Sequence, residues 1–230
     1  MQSFLALFTS FFMMFGAFFT GLPHAIKSWD KPTQTITEPA KVLALYKDIA
    51  AKNGNTELRE RMQASDLIYG RESPLYSLME NWARAGMFFI NPQRKVIKGV
   101  PGSPGKLTVA DLASAKAEYF NNGKTVVITL KLKDQLDSSG GSSSNRAVAN
   151  GIGSISQQSF ESLKIQVARL GYTMKNATVK YQNASIVVHA DAASGKIAKA
   201  NFAYNAVVTA NRNETSVPFQ QSFDYTVKRP

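Results

Sequence analysis

The sequence contains no cysteine and only two histidines, His24 and His189, and this excludes several kinds of site. Without a thiol there can be no cysteine nucleophile, no thiolate metal site and no disulfide scaffold. Two isolated histidines with no nearby carboxylate cluster also disfavour a zinc centre. No glycine-rich run has the spacing of a nucleotide-binding loop. We therefore expect neither a metal ion nor a cofactor.

Acidic residues are also scarce, because 16 Asp and Glu stand against 27 Lys and Arg, which gives a formal charge of +11. The excess lies in the second half of the chain, mostly as single lysines, and the tight groups are Arg94-Lys95 with Lys98 and Lys228-Arg229. Nucleic-acid sites combine clustered arginines with stacking aromatics, so this pattern disfavours nucleic acid. It leaves an anionic envelope polymer, a membrane surface or a protein partner, or a basic surface that serves only solubility.

The start of the chain has no charge at all from Gln2 to Ile26. Its strongly apolar part, residues 4–22, approaches the ~20 residues that a bilayer-spanning helix needs. On a helix the aromatic residues of this segment would form one broad face, and those proposed to anchor the chain in a membrane are Phe4, Phe8, Phe11, Phe15 and Phe18.

Three interpretations of this segment stay open: a single-span anchor, an export signal without a regular cleavage site, and a hydrophobic helix for assembly. Lys27 and Lys31 follow the segment, and the positive-inside rule would then keep the domain cytoplasmic. Two lysines are a weak bias, so the topology is left open. We divide the chain into a hydrophobic anchor or signal-like helix (1–29), a linker (30–36) and one domain (37–230).

Helical periodicity is clearest directly after the linker. Thr37 is placed to cap a helix that carries Pro39 in its first turn and Val42, Leu45, Tyr46 and Ile49 on one face. Two further helices are predicted, at about 73–86 and 156–170. Residues 55–69 alternate only weakly, and their state is ambiguous.

Beyond Gly105 the apolar residues alternate with period two. A hairpin turn is expected at Asn121–Gly123, a flexible loop at 137–144, and turns at 182–183 and 191–196. Because such alternation indicates one covered and one solvated face, we expect an α+β fold. In it, a largely antiparallel meander of five to six strands has two to three helices on one face, besides the N-terminal hydrophobic helix.

Several blocks resemble a family of uncharacterised gut-bacterial proteins of clostridial type, which are regarded as secreted or lipoprotein-like. They are the run Leu107–Leu112, the strand from Val127 to Asp134, the stretch from Tyr181 to Ile197, and the helix start at 42–46. The resemblance implies an exported or envelope-associated α+β domain without established chemistry, and it supplies no functional residues. Because this chain lacks a cysteine, a lipobox attachment is excluded.

Candidate chemistry is sparse. Ser185, His189 and Asp191 alternate on one strand, but strand neighbours two apart stand ~6.5–7 Å apart and side by side, so they do not form a triad. The remaining candidate is an aromatic-lined sheet face, which could line an apolar ligand cavity and consists of Phe202, Tyr204, Phe219, Phe223 and Tyr225.

From these patterns we expect a non-enzymatic binding or interaction domain, membrane-anchored through residues 4–22 with the domain outside the cytoplasm, or secreted. A carrier that holds a hydrophobic ligand between sheet and helices is the first alternative. A hydrolase is the second alternative, and the least supported one.

Overall fold

The computed structural model describes residues 31–68, 94–138, 142–155, 175–211 and 218–229. Nine strands lie in these ranges: β1 (Gln34–Ile36), β2 (Glu57–Ile68), β3 (Arg94–Lys98), β4 (Leu112–Phe120), β5 (Thr125–Leu132), β6 (Gln135–Ser138), β7 (Lys175–Asp191), β8 (Ile197–Asn211) and β9 (Pro218–Arg229). The same ranges contain helix α1 (Pro39–Lys52) and the short helix α2 (Ala147–Gly151). Residues 33–230 form one compact unit.

The described strands form one sheet in the order β1-β4-β5-β7-β8-β9-β2-β3, and β6 pairs with β7 beside the end of β5. Every described pairing is antiparallel. The strands from β4 to β9 follow one another as a meander. The early strands β1 and β2 pair with opposite ends of this meander, with β4 and β9 respectively. The N-terminal part of the domain therefore contributes strands toward both edges of the sheet.

The predicted fold class was wrong. The α+β prediction gave five to six strands under two to three helices, whereas the described chain is mostly antiparallel sheet, with nine strands and two helices. The largest difference is β2. It forms within the stretch 55–69, whose secondary structure the sequence left ambiguous, because its backbone pairs with the C-terminal strand β9. The predicted helices at 1–29, 73–86 and 156–170 lie outside the described residues.

The first helix of the domain is confirmed. Its apolar residues recur at helical spacing, and Val42, Leu43, Tyr46, Ile49 and Ala50 are buried. The cap differs by one residue, since Glu38 is the N-cap and makes no side-chain capping bond. Pro39 occupies the first turn. N–H groups in this turn have no acceptor within the helix, so a proline there costs no helical hydrogen bond.

Helix α1 connects β1 at one edge of the sheet to β2 near the other, so it must cross a sheet face. Six strand intervals span about 29 Å, and 14 helical residues span about 21 Å. The helix packs over β4, where the buried Ala115 and Ala117 leave room for it. Its crossing covers the face that holds the apolar core.

One buried amide fixes the end of this crossing. Asn53, which is 4% exposed, donates through Nδ2 to the carbonyls of Ile49 and Gly195, both at 2.8 Å. Its Oδ1 accepts from the N–H of Ile197 at 3.0 Å and from the hydroxyl of Thr56 at 3.0 Å. A single side chain therefore binds the C-terminus of α1 to the turn between β7 and β8.

Local turn chemistry sets the hairpins. The hairpin predicted at Asn121–Gly123 is confirmed, and all three of its residues adopt positive φ, at 53°, 55° and 83°. Asparagine and glycine tolerate this left-handed conformation best. The strand that follows buries Val126, Ile128, Leu130 and Leu132, as predicted.

Two other predicted connections are not what the structure shows. Residues 182–183 do not turn the chain, because β7 runs through them with a bulge at Asn183, whose φ is 54°. Part of the expected loop 137–144 is ordered as well, since β6 extends to Ser138 and Asp137 forms a bridge with Ser143. Within the predicted linker, residues 34–36 form β1.

A second buried amide seats α2. Gln135, 1% exposed, accepts through Oε1 from the N–H groups of Val148 at 3.0 Å and Ala149 at 3.1 Å, in the first turn of α2. Its Nε2 donates to both carboxylate oxygens of Asp137, at 2.8 and 2.9 Å. Gln135, the first residue of β6, thus holds the short helix α2 against the sheet.

We predict that Asn53→Ala lowers the free energy of unfolding by about 2–4 kcal/mol, because it removes four hydrogen bonds and leaves the buried N–H of Ile197 without an acceptor. Urea denaturation measures this change. Asn55→Ala is the matched control, because Asn55 is exposed two residues away, and it should change the value by less than about 0.5 kcal/mol. Equal effects of the two variants would contradict the role assigned to Asn53.

Candidate anion-binding face

The two faces of the sheet differ in chemistry. One face carries the core under α1, including Leu58, Ile128, Ile186, Phe202 and Val227, all 0% exposed. The residues that alternate with these form the second face, which we call the polar face. Its described members are exposed or half-buried and include Glu57, Arg59, Arg61, Val96, Lys98, Lys116, Glu118, Val127, Thr129, Lys131, Lys180, Ser185, Val187, His189, Lys199, Asn201, Ala203, Asn205, Asp224, Thr226 and Lys228.

Basic residues concentrate where β9, β2 and β3 lie side by side. Arg59 of β2 stands opposite Lys228 of β9, and the next residue of the same face, Arg61, stands opposite Arg94 of β3. Glu57, two residues before Arg59, stands opposite Lys98. We call Arg59, Arg61, Arg94, Lys98 and Lys228 the basic corner.

The basic corner is small and unbalanced in charge. Two strand intervals and four residues along β2 give an area of about 10 by 14 Å. It holds five basic residues. Glu57 of β2 lies within it, and Asp224 of β9, diagonal to Arg61, lies at its border. Arg59, Arg61, Lys98 and Lys228 are exposed, and so is Val96, the register partner of Arg59, at 60%. Like charges directly opposite one another destabilise a sheet, so this arrangement is not one that stability favours.

Several charged and polar groups of the polar face pair with one another. Lys116 and Glu118 form an ion pair at 2.7 Å. Asp224 accepts from the amide of Asn205 at 2.6 Å, and Asn205 in turn accepts from the amide of Asn183 at 3.2 Å. Lys131, Lys180 and Lys199 lie on the same face at wider spacing, so the corner is where five basic residues gather on three adjacent strands.

An open cleft of about 740 Å³ lies at the end of the sheet beside this corner. Its lining is polar and apolar in about equal parts and comes from the end of α1, the start of β2, the β7–β8 turn and the end of β9: Ala51, Lys52, Asn53, Gly54, Asn55, Thr56, Glu57, Ser194, Lys196 and Arg229. Three of these residues are cationic, and one, Glu57, is anionic.

Hydrogen bonds hold the cationic side of the cleft in place. The guanidinium of Arg229 donates to the carbonyl of Ile197, and Lys52 Nζ lies 2.7 Å from the Asp48 carboxylate. Gly195 has φ +72°, and a Cβ there would come within 2.9 Å of Lys52 Cδ. The glycine therefore lets the lysine stem lie across the β7–β8 turn.

The aromatic residues predicted to line a ligand cavity are only partly described. Phe202 and Tyr204 are buried at 0% and 3% exposure, and Tyr204 packs edge-to-face on Tyr181 with 5.3 Å between ring centroids. Phe219, Phe223 and Tyr225 occupy positions in β9, and their side chains lie outside the described part of the molecule. A ligand role for these five residues stays a prediction.

The residues predicted to anchor the chain, Phe4, Phe8, Phe11, Phe15 and Phe18, lie outside the described residues as well. Among the helices of the described ranges, none has the length and hydropathy needed to cross a bilayer.

Asp191, one of the strand residues considered for a triad, is hydrogen-bonded within the β7–β8 turn. Asp191 Oδ1 accepts from the N–H and the hydroxyl of Ser194, both at 2.7 Å, and these bonds lower the pKa of Asp191. Its carboxylate thus stabilises the β7–β8 turn. No group of three or more His, Asp or Glu side chains that could hold a metal ion occurs in the described ranges.

The sequence contained part of the signal for the basic corner. Both tight basic groups contribute to it, through Arg94, Lys98 and Lys228, but they are far apart in the chain. Arg59 and Arg61 could not be assigned to this site from the sequence, because the secondary structure of residues 55–69 was ambiguous. Only the pairing of β2 with both β9 and β3 brings the three segments together.

No family model, curated protein or solved structure matches this chain. The resemblance to gut-bacterial secreted proteins is therefore still an expectation from the sequence.

His189 should make stability fall in mild acid. Burial lowers the pKa of its imidazole, and Lys199, its register partner, lowers it further. In the unfolded chain this imidazole is protonated at about pH 6.5, whereas in the folded chain it is protonated only at a lower pH. Protonation therefore favours the unfolded state, and the free energy of unfolding decreases as pH falls below about 6.5. We predict that His189→Gln flattens the fall in unfolding free energy between about pH 7 and pH 5.

Chemical denaturation across this pH range provides the measurement. Val187→Thr is the control, because it changes a half-buried neighbour on the same face without adding or removing a titrating group. Its difference from the wild type should not vary with pH. A pH-independent difference for His189→Gln would show that the imidazole does not contribute.

Repulsion in the basic corner gives a second prediction. Arg59→Gln should raise the free energy of unfolding by about 0.5 kcal/mol at low salt, because it removes a positive charge that stands directly opposite Lys228 and two residues from Arg61. The gain should vanish in about 1 M salt, where charges are screened within about 3 Å. Lys131→Gln is the control, since Lys131 stands opposite Ser114 and Ser185. A loss of stability in Arg59→Gln at low salt would contradict net repulsion.

Proposed function

We propose that this chain is a non-enzymatic binding domain that holds an anionic polymer against its basic corner. The observation that carries the proposal is the convergence of Arg59, Arg61, Arg94, Lys98 and Lys228 on three adjacent strands, with Glu57 as the acidic residue of the same area of β2. Basic residues gathered on one surface raise the local concentration of an anionic partner and speed its association.

The rigidity of the site supports binding. The basic residues sit on paired strands, and positions on strands are held more precisely than positions on loops. Arg59 lies in the middle strand of the three, with backbone partners on both sides. A polyanion meeting this surface would find the charges already arranged, so that less ordering entropy is lost on binding.

The chemistry of the corner favours a polymer without bases. Non-specific nucleic-acid sites place aromatic rings between the cations so that bases can stack. The described side chains opposite the corner cations include Val96, Thr226 and Asn201, and none of these three has a ring. A carboxylate or phosphate polymer needs only the cations, so this class fits the corner better than nucleic acid.

The proposed setting is the cell envelope. The apolar segment at residues 4–22 would attach the domain to a membrane, or direct its export, with the domain outside the cytoplasm. Anionic polymers are available as partners there. This placement rests on the sequence, and the binding proposal does not depend on it.

The proposal predicts that Arg59→Gln with Lys228→Gln weakens binding of fluorescent poly-L-glutamate by about tenfold at low salt. Each lost contact should also reduce the slope of log affinity against log salt by about one. Fluorescence anisotropy across a salt series measures both quantities.

The matched control removes two exposed lysines of the same face outside the corner, Lys131→Gln with Lys180→Gln. It lowers the net charge equally and should change affinity by less than about threefold. If the two double variants weaken binding equally, the probe is attracted by the overall charge of the domain, and the assignment of the site to the basic corner is wrong. A nucleic-acid probe of equal charge that binds more tightly than poly-L-glutamate would overturn the polymer class.

A further inference from the structure

The basic corner and the cleft are neighbours in the chain and in space. Glu57 belongs to both, since it stands opposite Lys98 of the corner and also lines the cleft. Arg229 of the cleft follows Lys228 of the corner in β9, and their side chains leave the strand on opposite faces, so corner and cleft meet through Glu57 at the end of the sheet. A chain-like ligand that leaves the corner along β2 therefore arrives at the cleft.

Resting on the proposed function, we propose that the ligand is a linear polyanion that runs along β2 from Arg61 toward Glu57 and places one anionic group in the cleft, between Lys196 and Arg229. The corner then supplies attraction, and the cleft supplies recognition of a unit of the polymer.

The cleft is suited to one polar unit of such a polymer. Its volume of about 740 Å³ falls within the range of about 300–1,000 Å³ found for small-molecule sites. Its cations are Lys52, Lys196 and Arg229, and Asn55 and Ser194 add short polar side chains.

The walls of the cleft are fixed before any ligand binds. Asn53 joins the end of α1 to the carbonyl of Gly195 and the N–H of Ile197, so two of the contributing segments cannot separate without breaking buried hydrogen bonds. Arg229 is tied to the same turn through the carbonyl of Ile197. The site is therefore largely preformed, which reduces the entropy lost when a ligand is held.

The geometry also sets a length. The four residue steps of β2 from 57 to 61 cover about 14 Å. A cleft of this volume is about 9 Å across, so the whole path measures about 20–25 Å. An extended peptide covers about 3.3–3.6 Å per residue. An oligo-glutamate of about seven residues would thus be the shortest that spans corner and cleft.

The experiment compares oligo-glutamates of about three and about eight residues by isothermal titration calorimetry, with inorganic polyphosphate of matching lengths as a second probe. Affinity should rise by at least about tenfold between the short and the long probe. A rise of this size with either probe supports a ligand path from corner to cleft. The probe that shows the rise indicates whether the anionic group is a carboxylate or a phosphate. Affinity that grows only in proportion to length for both probes would overturn the path.

Lys196→Gln tests the cleft itself, because Lys196 is exposed and its side chain makes no hydrogen bond or ion pair in the structure as described. With the long probe it should bind at least about fivefold more weakly than the wild type, and with the short probe it should match the wild type. The control is Lys133→Gln, another exposed lysine on a different part of the domain, which should change neither affinity.

A readout that does not depend on affinity is the amide resonance of Gly195 and Asn55, which should shift with the long probe and not with the short one. If corner variants do not weaken binding, the proposed function fails. If they do, while Lys196→Gln behaves like Lys133→Gln and the Gly195 resonance does not move, only the cleft assignment fails.

Discussion

The antiparallel pairing of β2 with β9 is the constraint on which the rest of the domain depends. It joins a strand near the start of the domain to the last one, so the sheet can form only when distant parts of the chain meet. The same pairing forces α1 across the sheet, since the helix must lead from β1 at one edge to β2 near the other. It also forms the basic corner, because β2 brings Arg59 between Lys228 and β3. Fold and candidate site therefore share one cause.

Two buried amides show how an apolar core is given a single arrangement. Burial of hydrophobic side chains attracts α1 to the sheet but is non-directional. Asn53 and Gln135 are nearly inaccessible and fully hydrogen-bonded, so a displaced helix would leave several buried donors and acceptors unpaired. Asn53 also shapes the cleft, and a contact that fixes the fold thus positions the proposed recognition site.

The sequence allowed a reasonable prediction wherever the signal was local. Helix α1, the Asn121–Gly123 hairpin and the buried face of β5 follow from spacing and turn chemistry within a few residues, and the structure agrees. The errors arose where long-range contacts decide. Residues 55–69 alternate too weakly to be assigned alone and become a strand through β9. Asn183 looks like a turn residue, but pairing with β8 on one side and with β5 and β6 on the other carries β7 through it as a bulge.

By itself the sequence determined the basic excess, the absence of thiol chemistry, the alternation of the strands and the position of α1, because composition and short-range periodicity are properties of neighbouring residues. Only the tertiary structure decided that Arg59, Arg61, Arg94, Lys98 and Lys228 share one corner and that Lys52, Lys196 and Arg229 meet around one cleft. The register between strands depends on which segments bury their apolar faces together. That choice is made by contacts between residues far apart in the chain, which spacing within the sequence does not specify.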